Sequence, residues 1–345
     1  MNTRLDKALN LEPADGVPFL PAIYEHKAWF VGETPSKVCR DVNLFTTAAV
    51  AEYERVQPDA LTIGIDVYNV EAEAVGCRVT YYKGDDVSTP AIGPDGAVFQ
   101  GSSDVSSLKM PDPKKDGRMP LNIDVARRVV QVLGREVPIR GAVSGPFSMA
   151  SSLVGPERLM MLTMIQPGLV KDLISFSAEV IKVYGRAFID VGCGVIIFDS
   201  QASSELLSPA TYRDLVLAPT QGIIKYFQQS GVRHVPLIIG GNTTPMLDAY
   251  LETGANNVLC DAKADVVHFL EKCSKARRSF RRNLDTSDFL EVTAKQLRRR
   301  ALKTLKESNS YPGFILGTGV VPYGTPLANL VSIRDAAREF REKRK

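Results

Sequence analysis

Two aspartates close apolar runs, and their placement is the first sign of chemistry. Asp66 ends ALTIGID (60–66), and Asp199 sits near the end of GVIIFDS (194–200). A carboxylate at the end of a buried strand is partly desolvated. Its proton affinity shifts, and it can serve in proton transfer or cation binding. The alternative role is to cap a nearby helix or accept loop amides. His26 follows the run VPFLPAIY (17–24) with Glu25 beside it, a place for a general acid/base or a metal ligand. It could equally be a loop imidazole bonded to a backbone carbonyl. Cys260 and Asp261 end NVLCD (257–261). Packing is the default for such a cysteine, and a thiolate ligand or nucleophile is the alternative. His234 precedes its apolar run and His268 lies in a helical stretch, so both read as structural.

Polar and aromatic residues accompany these groups. Tyr68, Gln201 and Asn242 follow strand-like runs and could contact a substrate. Tyr24, Trp29 and Phe147 could line an apolar pocket, with core packing as the competing role. The glycine-rich turns IGGNTT (239–244) and GTGVVPYGTP (317–326) could offer amides to an anion, but neither matches a P-loop or GxGxxG pattern. The basic run KCSKARRSFRRN (272–283) reads as the solvated outside of helices or a surface for an acidic partner.

The elements that position these residues are legible. VPLIIGGNTTPMLDAYLETGANNVLCD (235–261) reads as strand, Gly-Gly turn, helix started by Thr and Pro, glycine stop and second strand. That is a right-handed βαβ unit, with its site at the strands' carboxyl ends. Eight such runs occur: 17–24, 60–66, 139–145, 194–200, 235–241, 257–261, 279–285 and 313–319. Helical periods separate them, which predicts an α/β fold, a single (β/α)8 TIM barrel over residues 1–345. SFRRNLD (279–285) departs from the pattern, because it carries two arginines. After the second strand, residues 77–101 alternate apolar and polar around two turn signals, predicting a small β-hairpin insertion.

Bulk composition excludes several classes. A net charge of +3 gives no global field for nucleic acid or a membrane surface. No apolar run has the length of a membrane span, and the N-terminal residues lack a signal-peptide core. The five cysteines show no CxxC spacing, so reduced thiols and a cytoplasmic location are expected.

VEAEAVGCRV (70–79), SGPFSMASSLVG (144–155), DSQASSELLSPATYRDLVLAP (199–219), GGNTTPMLDAYLETGANNVLCD (240–261) and GTGVVPYGTPLANL (317–330) resemble, in order and spacing, the uroporphyrinogen decarboxylase superfamily. Within it the chain is most similar to the cobalamin-dependent methyltransferase branch. The resemblance implies the barrel already counted. In the decarboxylases the position of Asp66 engages the pyrrole nitrogens of the tetrapyrrole. Their N-terminal arginine motif corresponds to IYEHKAWFVG here, which lacks those arginines. Their tyrosine and late histidine fall near Ser152 and Thr318. A polycarboxylate substrate needs arginine partners, so uroporphyrinogen is a poor fit. In the zinc methyltransferases, the ligand positions correspond here to Ile238, Gly240 and Val320, which cannot ligate zinc. A rearranged metal site would draw on Glu25, His26, Asp199, Cys260 or Asp261.

The resemblance therefore implies a corrinoid-dependent methyltransferase. It would move a methyl group between a small donor, of the methyl ether or methylamine class, and a corrinoid carried by a small partner protein. Asp66, Asp199 and His26 are the expected catalytic residues. Tyr24, Trp29, Tyr68, Phe147, Gln201 and Asn242 are the expected substrate contacts. The family also implies a homodimer. A tetrapyrrole decarboxylase and a non-catalytic ligand-binding member are the alternatives.

Overall fold

Buried parallel strands are covered on both faces, so they read as continuous apolar runs. All eight such runs form strands in the computed structural model, which describes residues 3–99, 104–308 and 310–340. In chain order they are β1 (Phe19–Ala22), β2 (Leu61–Ile63), β5 (Ile139–Ser144), β6 (Gly194–Phe198), β7 (Pro236–Ile238), β8 (Asn257–Cys260), β9 (Ser279–Leu284) and β10 (Phe314–Val320). β3 (Val79–Thr80) and β4 (Ala91–Ile92) form the antiparallel hairpin after β2. The hairpin is shorter than the expected 77–101, of which residues 100 and 101 lie outside the described residues.

The eight long strands make one parallel sheet in the order β1-β10-β9-β8-β7-β6-β5-β2. Curled with helices between the strands, it is a TIM barrel. Among the described residues no ladder joins β2 to β1. The gap is bridged by Asp59, whose carboxylate accepts from the Phe19 amide at 2.7 Å and whose amide donates to the Phe19 carbonyl at 3.0 Å. Arg4 holds the same carboxylate at 3.0 Å.

Strand side chains alternate between two cores. Outward residues such as Ile63, Val143, Ile197 and Phe280 pack under the helices. Inward residues Ala22, Tyr24, Ala142, Ile196, Phe198, Ile238 and Leu259 fill the lumen with Val67 and Tyr68. The floor is closed by helix Arg4–Leu9, which sets Leu5 and Ala8 against Leu20, Ala60 and Ile315. The helices start where short polar side chains accept their first amides. Asp41 accepts from Asn43 and Leu44, and Asp265 from Val267 and His268. Among the described residues no helix is long and apolar enough to cross a membrane.

Candidate active site at the barrel mouth

Alternation decides which strand-end residues reach the mouth. On β6, Phe198 points inward, so the next residue, Asp199, points outward. It is fully buried beneath helix Pro146–Val154, where Oδ1 accepts from the Ser148 amide at 2.7 Å. Its carboxylate therefore sits at a helix N-terminus. Gly145 makes this possible, since a Cβ there would fall 2.2 Å from Asp199 Cγ. Among the described residues Asp199 Oδ2 has no hydrogen-bond partner, and burial pushes the carboxyl up to about 6.

Asp66 is gripped from behind. Arg118 donates to both of its oxygens, at 2.8 and 2.7 Å, and Asn69 adds a third bond at 3.1 Å. The Arg118 Nε reaches Glu73 at 2.6 Å, and its guanidinium lies over the Tyr81 ring. Arg118 comes from the loop before helix Met119–Leu133, more than fifty positions from Asp66. The Glu71 carboxylate bonds the Ser144 amide at 2.6 Å and hydroxyl at 3.2 Å, and burial raises it to about 7. Neither Arg118 nor Glu71 was singled out by sequence reasoning. Glu71 lies inside the VEAEAVGCRV motif, which was the one available signal.

His26 is completely buried, stacked on Trp29 at 5.3 Å and edge-on to Phe30 at 4.9 Å. Burial lowers it to about 4, so the imidazole is neutral near pH 7. Trp29 packs against the outer core, and Phe147 is part of it. Cys260 also faces outward. Its sulfur lies 3.5 Å from Arg282, and burial pushes the thiol up to about 12. Asn242 is exposed and orders its own turn by accepting from the Thr244 amide.

The residues that do meet at the mouth are Tyr24, Tyr68, Ser200, Asp261 and Asn283. Tyr24 and Tyr68 both stand edge-on to Phe198, at 5.5 and 6.4 Å. The Tyr68 hydroxyl bonds Ser200 Oγ at 2.8 Å, and that oxygen accepts from the Gly240 amide at 3.2 Å. Asp261 accepts from the Gly241 amide at 2.9 Å and from Asn283 at 3.0 Å. Among the described residues Glu25, next to Tyr24, forms no ion pair, and burial pushes its carboxyl up to about 7. Tyr68 and Gln201 also line an adjoining cavity of about 590 Å³ between the hairpin and helix Pro146–Val154.

The zinc positions implied by the resemblance are unsuitable. Ile238 presents an alkyl side chain to the lumen, Gly240 has none, and Val320 is largely exposed. The rearranged set does not assemble either. Cys260 faces the outer core, His26 is stacked among aromatics, and Asp261 is committed to the amides of Gly241, Ala262 and Asn283. Among the described residues no group of three His, Cys, Asp or Glu side chains could hold a metal ion.

A parallel barrel with its polar groups at the strands' carboxyl ends defines the class, a TIM-barrel enzyme-like fold. The chain belongs to the uroporphyrinogen decarboxylase (URO-D) family, whose profile matches residues 1–340. It is similar to a methylated-thiol–coenzyme M methyltransferase of Methanosarcina mazei, 25% identical over 87% of this chain and 77% of that one. A methylcobamide:CoM methyltransferase, MtaA, of Methanosarcina barkeri is 24% identical over 99% and 98% of the two chains. A uroporphyrinogen decarboxylase of Anaeromyxobacter is 27% identical over 88% and 87%. Among solved structures, a methyltransferase from Methanosarcina mazei superposes with a TM-score of 0.84 over 97% of each chain, at 22% identity. Its likeness establishes the fold. The relatives are enzymes of both kinds, methyl transfer and decarboxylation.

Proposed function

We propose that the chain is a methyltransferase that moves a methyl group from a small donor to a corrinoid carried by a partner protein. The observation that carries this reading is the character of the mouth. Tyr24, Tyr68, Phe198, Ile238 and Leu259 pack there as an apolar cluster, Tyr68 opens onto the adjoining cavity of about 590 Å³, and Glu25, whose carboxyl burial raises to about 7, follows Tyr24 in the chain. A mouth lined in this way suits a small methyl ether or methylamine better than a tetrapyrrole. The decarboxylase reading is disfavoured because Asp66, its key position, is held by Arg118 and Asn69.

The difficulty of the reaction is a poor leaving group, which must gain a proton as the carbon–heteroatom bond breaks. Glu25 fits that demand, because a substantial fraction keeps its proton at neutral pH. Tyr68, fixed by Ser200, and Asp261, fixed by Gly241 and Asn283, position the polar end of the donor. The aromatic walls hold the methyl end and exclude water. When the partner docks, its corrinoid supplies the methyl-accepting centre. Asp66, Asp199 and His26 act in this reading by holding the walls around the chamber.

The test is methyl transfer to cob(I)alamin, under strict anaerobiosis, from a panel of methyl ethers, methylamines and methylated thiols. Turnover with at least one donor supports the reading. Release of carbon dioxide from uroporphyrinogen with no methyl transfer would replace it by the decarboxylase reading. Inactivity in both assays would leave a binding role.

A further inference from the structure

The barrel lumen contains two arginines that the mechanism above does not use. On β5, Arg140 lies two residues before the inward-facing Ala142, and on β9, Arg281 follows the outward-facing Phe280 by one. Strand alternation therefore sends both side chains into the lumen. Arg281 is 3% exposed and Arg140 9%. Among the described residues neither forms an ion pair with a carboxylate, and the Nε of each has no hydrogen-bond partner. The neighbouring outward arginine, Arg282, bonds the Asp261 and Ala264 carbonyls and pairs with Glu307.

The two guanidiniums converge. Arg281 lies near enough to act electrostatically on Arg140, and both arginines act on the Tyr24 phenol, which faces Arg281. Space for Arg281 is made by glycine. A Cβ on Gly317 would lie 2.7 Å from Arg281 Cδ and 2.6 Å from Asn283 Oδ1. Gly194 lies opposite Arg140 in the ladder, where a Cβ would make only an ordinary contact with the Arg140 stem at 3.5 Å. Two buried like charges without a counter-ion are strongly unfavourable unless an anion joins them. Arginine forks match planar or tetrahedral oxyanions in particular.

We infer that Arg140, Arg281 and Tyr24 form an anion site in the lumen, which takes the acidic head group of a small substrate. The ligand class is a compact monoanion or dianion: a carboxylate, sulfonate or phosphate on a short stem. With that group held deep, the rest of the molecule extends upward past Phe198 toward Tyr68 and Asp261. The inference rests on the mouth being the donor chamber, and it narrows the substrate from any small methylated compound to an anionic one.

The test is calorimetric titration of the full chain with acetate, benzoate, methanesulfonate and inorganic phosphate in low-chloride buffer. Saturable binding of at least one anion, with a matching rise in Tm, is expected. Strength across the series separates a carboxylate or sulfonate substrate from a phosphate one. Arg140→Met and Arg281→Met should each weaken that binding by about ten-fold or more. In anion-free buffer Arg140→Met should melt no lower than the parent, because it removes an uncompensated charge. Should either Met variant fail to fold, Arg140→Lys and Arg281→Lys keep the charge and still break the fork, so they too should bind more weakly. No saturable binding to the parent, or undiminished binding in these variants, overturns the inference. Anion binding with no methyl transfer would sink the proposed function and leave the anion site standing. Methyl transfer from uncharged donors alone, with no anion binding, would do the reverse.

Discussion

Arg118 closes on both carboxylate oxygens of Asp66, at 2.8 and 2.7 Å, while its remaining nitrogen holds Glu73. Its removal would strand two acids in a desolvated setting. Arg118→Met is expected to cost roughly 3–5 kcal/mol of stability, measured by urea denaturation. Arg118→Lys should recover little of it, since an ammonium cannot serve both partners in one plane.

Gly145 tests the outward placement of Asp199. Its backbone is extended, so alanine carries no conformational strain there. Yet the added Cβ would meet Asp199 Cγ at 2.2 Å. Gly145→Ala should therefore destabilise by about 1–3 kcal/mol or more, by steric displacement. A neutral result would mean that Asp199 leaves its helix without cost.

Asp199, Glu71 and Glu25 share an unusual pH signature. Burial raises all three, to about 6, 7 and 7, above their unfolded values near 4. A folded state that holds the proton more tightly gains stability below the unfolded pKa and loses it as pH rises through the folded one. Stability contributed by these groups should thus fall between about pH 4 and pH 7. Glu71→Gln should flatten part of that slope in melts recorded across the range, whereas an unchanged slope would contradict the raised value.

Catalysis should depend on the same proton at Glu25. Methyl transfer should decline as pH rises through about 7. Glu25→Gln should lower kcat by about 10²–10⁴-fold and remove that limb of the profile. Binding of the donor should change much less.

Tyr68→Phe and His26→Phe make an instructive pair. Tyr68→Phe removes the hydroxyl that fixes Ser200, and should reduce kcat/KM by about ten-fold while costing only about 0.5–1.5 kcal/mol of stability. His26 has aromatic neighbours on two sides and is neutral. His26→Phe should keep most of the activity, and a large loss would return the imidazole to the chemistry.

The strands were legible because their covering on both faces leaves an unbroken apolar run. SFRRNLD was legible too, once its two arginines are read as facing opposite ways, Arg281 inward and Arg282 outward. Less legible was the direction of each strand-end acid. Asp199 and Asp261 both follow apolar strands, but one stands one position past an inward residue and the other two. Period two settles the matter only when the inward set is known, and tertiary packing supplies that. The partner of Asp66 was out of reach, because Arg118 comes from a distant polar loop whose composition reads as solvent-exposed.

The bridge at Asp59 has a consequence for how the chain is made. β1 emerges first, yet its ladder partner is the last strand, and the bond from the Ala22 amide to Thr318 Oγ1 spans 296 positions. Contacts that remote form slowly, and an edge left waiting can pair with another chain. A nascent polypeptide without Phe314–Val320 has two open edges and no chamber. The ring becomes a functional compartment in one late event, so damage or premature arrest before the final strand should yield aggregation-prone material with no partly active form.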